Sequence, residues 1–467
     1  MANSMYWYDF ETTGINPGRD RAIQFAGVRT DEDLNIIGEP LDLLCYPGED
    51  TIPAPEAILV TGINMMQLKS SGMNEAEFSR QIHEQFSTPE TCVVGFNSLR
   101  FDDEFTRYLF YRNFYDPYAR EWQSGNSRWD VIDMFRMAHA LRPEGINWPV
   151  AENGNVTFRL EKLTEENGIG HENAHDAVSD VLATIGMAKK LKDSQPKLYA
   201  YLFALRNKNE VLKQLYPLGK TPIVHVSSMY PASQGCVAVV LPLCVHPTNS
   251  NGVICFDLSN DPTDLIELSP VELHRRIFTA RQDLGNEKRV ALKTIHINKC
   301  PAIAPLSTLQ GNEARLHIDM PAIQLNMRRI QQSSGVVEKI SEAFSLKTFP
   351  PTNDPDLMLY QGGFFSSDDK SIMSDIHTSK PENLAAYGAH FTDSRLSEML
   401  LRYRARNFPE SLSDDDRDYW KNYCSTMQKG ENGLQAQLAR IEALKSQGHS
   451  DACLQDLHDY LLSIQQA

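Results

Sequence analysis

Asp9 and Glu11 stand two residues apart in an aromatic, apolar segment near the start of the chain, residues 5–10. In a strand, residues two apart project from one face, so this pair presents two carboxylates about 6.6 Å apart, with Tyr8 and Phe10 pointing the other way. Carboxylates in the middle of a sheet repel one another and lose hydration, and they call for a compensating cation. Oxygen-only ligands suit Mg2+ or Mn2+ rather than zinc. Taken alone, the pair also reads as a strand end with two solvated acids. Two later segments add to it. Gly95-Phe96-Asn97-Ser98-Leu99-Arg100-Phe101-Asp102 places an acid after a strand and at the start of a helix. Asp102, Asp103 and Glu104 share a structural reading there as helix caps or dipole partners. His175-Asp176-Ala177-Val178-Ser179-Asp180 sets a histidine five residues before an aspartate at a second helix start.

The elements that must position these groups alternate between strand and helix. Residues 5–10, 22–29, 41–46 and 91–96 have strand character, while 75–86 and 103–114 carry helical patterns. Residues 174–192 form the clearest helix, with Val178, Val181, Leu182, Ile185 and Ala188 as one apolar stripe. The mixture predicts an α/β sheet covered by helices. Character changes near Ser194-Gln195-Pro196. A helix is expected over 199–215, then strands over 222–226, 236–244 and 253–258, broken by Gly, Pro and Asn. A proline cluster at 349–355 reads as a linker, and 395–407 and 411–465 are helical in pattern. The expected domains are 1–195, 196–348 and 352–467.

At 467 residues the chain exceeds one ordinary core. An apolar fraction of 41% and a charged fraction of 23% are those of a globular protein rather than a disordered one. The formal charge of −16 argues against a general polyanion binder, although a basic groove can sit on an acidic body. Eight cysteines carry no zinc-ligand spacing; Cys244 and His246 lack a second pair, and reduced thiols are expected. The first acidic residues come too early to leave room for a secretory leader, and the apolar run 237–245, interrupted by Pro242, is too short to span a bilayer. The expectation is a soluble, cytoplasmic protein with no membrane association.

Asp9, Glu11, Asp102, His175 and Asp180 follow an order and spacing that resembles the DEDDh exonucleases, and Phe158-Arg159-Leu160-Glu161-Lys162-Leu163 and Thr61-Gly62-Ile63 fit the same pattern. Each piece is common by chance, but all of them in the correct order are not. The segments 112–118, 126–130, 141–149, 296–301, 363–366 and 403–409 are similar to bacterial exonuclease I, so the likeness covers essentially the whole chain. That resemblance implies an RNase H-like exonuclease domain with a mixed sheet flanked by helices, an SH3-like β domain and a C-terminal α-helical domain. It also implies 3′→5′ hydrolysis of single-stranded DNA to 5′-mononucleotides, a role in DNA repair and recombination, and a monomer.

In this reading two divalent ions, Mg2+ with Mn2+ as a substitute, lie about 3.5–4 Å apart. Asp9 bridges them, Glu11, Asp102 and Asp180 complete their shells, and His175, with an ordinary pKa near ~6.5, takes a proton from the attacking water. From Leu99 to Phe135 aromatics interleave with Arg100, Arg107, Arg112, Arg120 and Arg128, a pattern suited to gripping a strand without reading its sequence. Some of these aromatics must be core, and the arginines have Asp103, Glu104 and Asp116 as local partners. By resemblance, Arg107, Tyr118, Trp122 and Arg136 contact the strand, Arg159 and Glu11 act near the scissile end, and Arg142 and Tyr201 belong to a surface for the acidic C-terminal tail of single-stranded-DNA-binding protein. The competing readings are an exoribonuclease or proofreading subunit with the same five residues, and a catalytically silent binder of DNA ends.

Overall fold

β1 (Ser4–Thr12) carries buried aromatic side chains on one face and the acidic pair on the other. It pairs antiparallel with β2 (Ala22–Thr30), which sets Asp9 opposite Ala26 and Glu11 opposite Gln24. β2 pairs antiparallel with β3 (Leu41–Leu44), and β1 runs parallel to β4 (Thr91–Gly95) from Ser4↔Thr91 to Trp7↔Val94. The order β3-β2-β1-β4 is therefore a mixed sheet. The computed structural model describes residues 3–171, 176–449 and 451–465. The chain forms two compact units, one of Met1–Ser127, His171–Ile185 and Pro351–Ala467, the other of Arg128–Gly170 and Gly186–Pro350.

In the first unit, Tyr6, Tyr8, Phe10 and Phe25 form a layer of rings against Phe78, Ile82 and Phe86 of the Glu75–Phe86 helix and Phe105, Leu109 and Phe110 of the Asp102–Arg112 helix. The spacing of Phe78, Ile82 and Phe86 keeps all three on one helical face. Each fully buried ring or aliphatic chain contributes about 1.5–3 kcal/mol relative to exposure. Ile23, Ile58, Met65 and Leu68 pack instead against Ile441 and Leu444 of the Leu434–Ser446 helix and Leu454, Leu457 and Leu461 of the Asp451–Gln465 helix.

Buried ion pairs tie the early and late segments of this unit together. Asp50 receives Arg21 at 3.2 Å and Arg406 at 2.9 Å, and Arg402 reaches Asp354 at 2.6 Å and Asp356 at 3.3 Å. Glu75 pairs with Arg112 at 2.7 Å. Burial pushes the Glu75 carboxyl up, but Arg112 and Arg21 overcome it and bring it down to about 2.

The second unit holds an antiparallel sheet in the order β9-β5-β6-β7-β8, from β5 (Ile223–Val226), β6 (Val237–His246), β7 (Asn249–Asp257), β8 (Leu292–His296) and β9 (Ile303–Pro305). Pro242 sits inside the central strand β6, and the β6–β7 register shifts between Pro242 and Cys244, a bulge of the kind at which a strand proline is tolerated.

Two expectations need correction. The helix expected over 199–215 is two helices, Pro196–Ala204 and Lys208–Leu215, because the Asn207 side chain accepts from Asn209 N–H and starts a new one. On the Ala177–Ser194 helix Leu182 is 39% exposed. The buried stripe runs instead through Ala177, Val181, Ile185 and Ala188, so polar Thr184 is buried where Leu182 is not. No helix among the described residues is long and apolar enough to cross a membrane. All eight cysteines are free thiols.

Candidate active site

The site forms where β4 leaves β1. Their pairing stops at Trp7↔Val94, and the chain turns away through Gly95 and Asn97, whose φ is 64°. A Cβ on Gly95 would meet Ser98 Cβ at 2.5 Å, so the close turn needs glycine there. The edge of β1 beyond Trp7 is left without a strand partner, and Phe10 N–H donates instead to Asp102 Oδ1 at 3.3 Å. Asp102 opens the Asp102–Arg112 helix and is 4% exposed.

Three consecutive acids have three fates, because successive helical residues point about 100° apart. Asp103 faces the aromatic layer, accepting from Tyr8 Oη at 3.0 Å and Arg120 Nη2 at 2.6 Å. Glu104 holds Arg107 at 2.9 Å and accepts from Tyr360 Oη. Asp102 is the one aimed at the β1 edge.

Asp180 lies in the first turn of the Ala177–Ser194 helix, where the helix dipole favours a negative charge. One ligand oxygen each from Asp9, Glu11 and Asp180 lies within 4.8 Å of the others. Burial, then the Asp180 charge, pushes Asp9 up to about 8, against a backbone N–H from Phe10 that favours the anion. Glu11 is pushed up to about 9 by burial and by Asp9, Asp180 and Asp176 in turn. Burial and then Asp9 raise Asp102 well above its ordinary range. These are the signs of carboxylates crowded together without the charge that would balance them. An all-oxygen set of this kind fits a hard divalent cation.

His171 Nε2 hydrogen-bonds to Asp180 Oδ1. Neither His171 nor Asp176 was singled out from the sequence as a site residue; their positions four and one from His175 were the available signal. His175 itself lies outside the described residues.

The arginine-aromatic stretch divides into core and surface. Arg112 and Arg120 are buried against Glu75 and Asp103, and Phe105, Phe110 and Phe114 are core. Asp116 pairs with Lys370 at 3.3 Å rather than with an arginine. Arg107 is 5% exposed; Glu104, Glu121 at 2.8 Å and Tyr360 Oη at 3.1 Å hold its guanidinium, which sits 5.2 Å from the Tyr118 ring centroid. Trp122 is 68% exposed. In the second unit, Arg136 donates to Asp133 at 2.5 Å and lies 5.7 Å from the Phe158 ring centroid, while Arg159 is exposed beside Glu161. Arg142 donates to Thr308 O at 3.3 Å and Tyr201 Oη to Ile303 O at 3.1 Å.

Three family models match the chain: an exonuclease model over residues 6–187, the exonuclease I SH3-like domain over 206–346 and the exonuclease I C-terminal domain over 353–464. The exodeoxyribonuclease I of Escherichia coli is 45% identical over 420 residues, which cover 90% of this chain and 88% of that protein. Among solved structures, the moderately thermophilic exonuclease I of Methylocaldum szegediense superposes with a TM-score of 0.94 at 46% identity, over 99% of this chain and 100% of that one. The zinc-ion-bound form of the E. coli exonuclease I complex with single-stranded DNA gives 0.95 at 42% identity with the same coverage.

Proposed function

Because the chain belongs to the exonuclease I family, an exonuclease domain followed by an SH3-like and a helical C-terminal domain, we propose that it hydrolyses single-stranded DNA from the 3′ end and releases 5′-mononucleotides. The observation that carries the reading is the convergence of Asp9, Glu11 and Asp180 within 4.8 Å, with the Asp9 and Glu11 carboxyls raised by burial and then by their acidic neighbours. Two divalent ions, Mg2+ with Mn2+ as a substitute, would supply charge neutralisation at the phosphoryl oxygens and the leaving alkoxide. Asp9, Glu11, Asp102 and Asp180 would hold them. To do so Asp9 and Glu11 give up the protons that burial and neighbouring carboxylates keep on them at neutral pH. His171 hydrogen-bonds the Asp180 carboxylate through Nε2 and helps to hold it in place. His175 takes the proton of the attacking water, and Arg159 is carried over from the family resemblance as a contact near the scissile end.

Away from the reacting bond, Tyr118 and Trp122 supply ring faces for bases, and Arg107, fixed by two glutamates, orients the Tyr118 ring. In the second unit Arg136 contributes a phosphate contact. The reading includes a cytoplasmic monomer acting in DNA repair, divided at 1–195, 196–348 and 352–467. It also includes a surface at Arg142 and Tyr201 for the acidic tail of single-stranded-DNA-binding protein.

The test is digestion of 5′-labelled and 3′-labelled single-stranded DNA with Mg2+ and with EDTA. Early release of the 3′ label as a mononucleotide, with a 5′-labelled ladder that shortens over time, is expected only with the metal. Release of the 5′ label first overturns the polarity, and preference for RNA favours an exoribonuclease. Unchanged release by Asp180→Ala overturns the metal site, and no release at all by the wild type leaves a binder of DNA ends.

A further inference from the structure

The hydrolytic site leaves unused a cavity of about 440 Å³ in the first unit, beside the segment that joins β1 to β2. Asn16, Gly18 and Arg19 of that segment line one side, and Tyr423, Met427 and Asn432 line another. Five carboxylates face it, those of Asp20, Asp50, Asp354, Asp356 and Glu431. Against them stand Arg19 and Arg21 on the wall and Arg402 and Arg406 behind it, so an excess of negative charge remains. Asp50 and Asp356 are 6% and 2% exposed, and Oδ1 of each has no hydrogen-bond partner among the described residues. Asp356 gives its other oxygen to Arg402 and Arg406, neither of which lines the cavity, and this leaves Oδ1 for what the cavity holds. A buried carboxylate oxygen without a donor costs free energy until one arrives. Burial also raises the Asp20 carboxyl, although the Asn16 N–H and Arg21 favour its anion.

We propose that this cavity binds a linear aliphatic diamine or polyamine. Its acids do not converge as a metal site requires. Among the described residues only Asp9, Glu11 and Asp180 bring three ligand atoms within 4.8 Å of one another, and none of them lines this cavity. Carboxylates spread around a wall match charges spread along a chain better than one compact ion. The volume lies within the roughly 300 to 1,000 Å³ of small-molecule sites. Ile52, Leu357, Met427 and the Tyr423 ring supply apolar surface for the methylenes between two ammonium groups. One ammonium, with its three N–H donors, meets Asp50 and Asp356 at the buried end, and the other meets the exposed Glu431. Occupancy ties the segment that follows the acidic pair to the end of the Asp414–Gln428 helix, and so braces the strand end that carries Asp9 and Glu11.

The experiment is isothermal titration calorimetry of the full chain with putrescine, in EDTA, without DNA and at constant ionic strength. Saturable one-site binding is expected, with none by its diol analogue, which has the same carbon chain and no charge. Thr426→Arg sets a fixed cation on the cavity wall from an exposed position and should weaken binding about tenfold or more. Glu431→Gln, also at an exposed position, should weaken it about two- to fivefold, as losing one solvated ion pair does. Both chains should melt with the wild type when no amine is present, since neither position is buried. Asp9→Asn should bind putrescine as the wild type does. No saturable heat, equal binding of the diol, or full affinity in either cavity variant overturns the site. Loss of binding in Asp9→Asn overturns it too, by placing the amine at the hydrolytic acids. The proposed function survives each of these results, because none of its residues lines the cavity.

Discussion

Replacing Asp9 by asparagine should strengthen the metal-free fold while destroying the activity. The Asp9 carboxyl is pushed up to about 8, so between its ordinary value of 3.8 and pH 8 the folded chain keeps a proton that the unfolded chain has released. Stability must therefore fall as pH rises through that window, and the loss is absent at pH 4 and below. Three decades of proton affinity separate the ordinary value from pH 7, about 4 kcal/mol at about 1.4 kcal/mol per decade, which is an upper limit. Half-burial and water at the site reduce it to about 2–4 kcal/mol. Asparagine keeps the shape of the protonated acid and carries no charge, so it removes this cost. Thermal melting in EDTA is the assay. At roughly 2–4 °C per kcal/mol, Asp9→Asn should melt several degrees above the wild type at pH 7 and level with it at pH 4. Mg2+ should then raise the melting temperature of the wild type more than that of the variant, and release of nucleotides should fall about 10³-fold or more. A variant that melts no higher than the wild type at pH 7 in EDTA refutes the claim that burial and mutual repulsion hold these carboxyls protonated.

Asp356→Ala should cost about 3–5 kcal/mol in melting experiments, because Arg402 and Arg406 would be left as buried charges without their shared partner. Against the upward push of burial, those arginines hold the Asp356 carboxyl well below the usual range, so its contribution is present above about pH 4 and lost as pH falls further. Trp122→Ala, at an exposed ring, should weaken binding of single-stranded DNA about 5- to 150-fold in a filter or anisotropy assay without lowering the melting temperature. His175→Ala should lower kcat about 10²- to 10⁴-fold and remove the acidic limb of the pH–rate profile near pH ~6.5; an unaltered limb assigns the proton transfer to another group.

What could be read without coordinates was what local chemistry repeats. The alternation in residues 5–10 and the spacing of Phe78, Ile82 and Phe86 report which face of an element is buried, since a strand or helix shows its period in a handful of residues. The same logic failed at Leu182, where the helical period is right but the neighbours needed to cover that position are missing. It failed again at Asn207, where one side-chain cap starts a second helix inside an apparently continuous pattern. Asp9, Glu11, Asp102 and Asp180 could be singled out from order and spacing. That Asp102 and not Asp103 points at the β1 edge could not, because one step around a helix separates the acid beside Phe10 N–H from the acid bound to Arg120.

The sequence by itself determined the strands, the helices and the set of acids that recur in order along the chain, because those are properties of near neighbours. Only the tertiary structure decided how close the acids come and what that does to them. Groups as far apart in the chain as Asp9 and Asp180 come within 4.8 Å, and burial together with that crowding raises the Asp9 and Glu11 carboxyls to about 8 and 9. It decided likewise that Arg112 and Arg120 neutralise buried acids while Trp122 and Phe364 stay exposed. Charge and burial depend on distances through space, and spacing along the chain does not contain them.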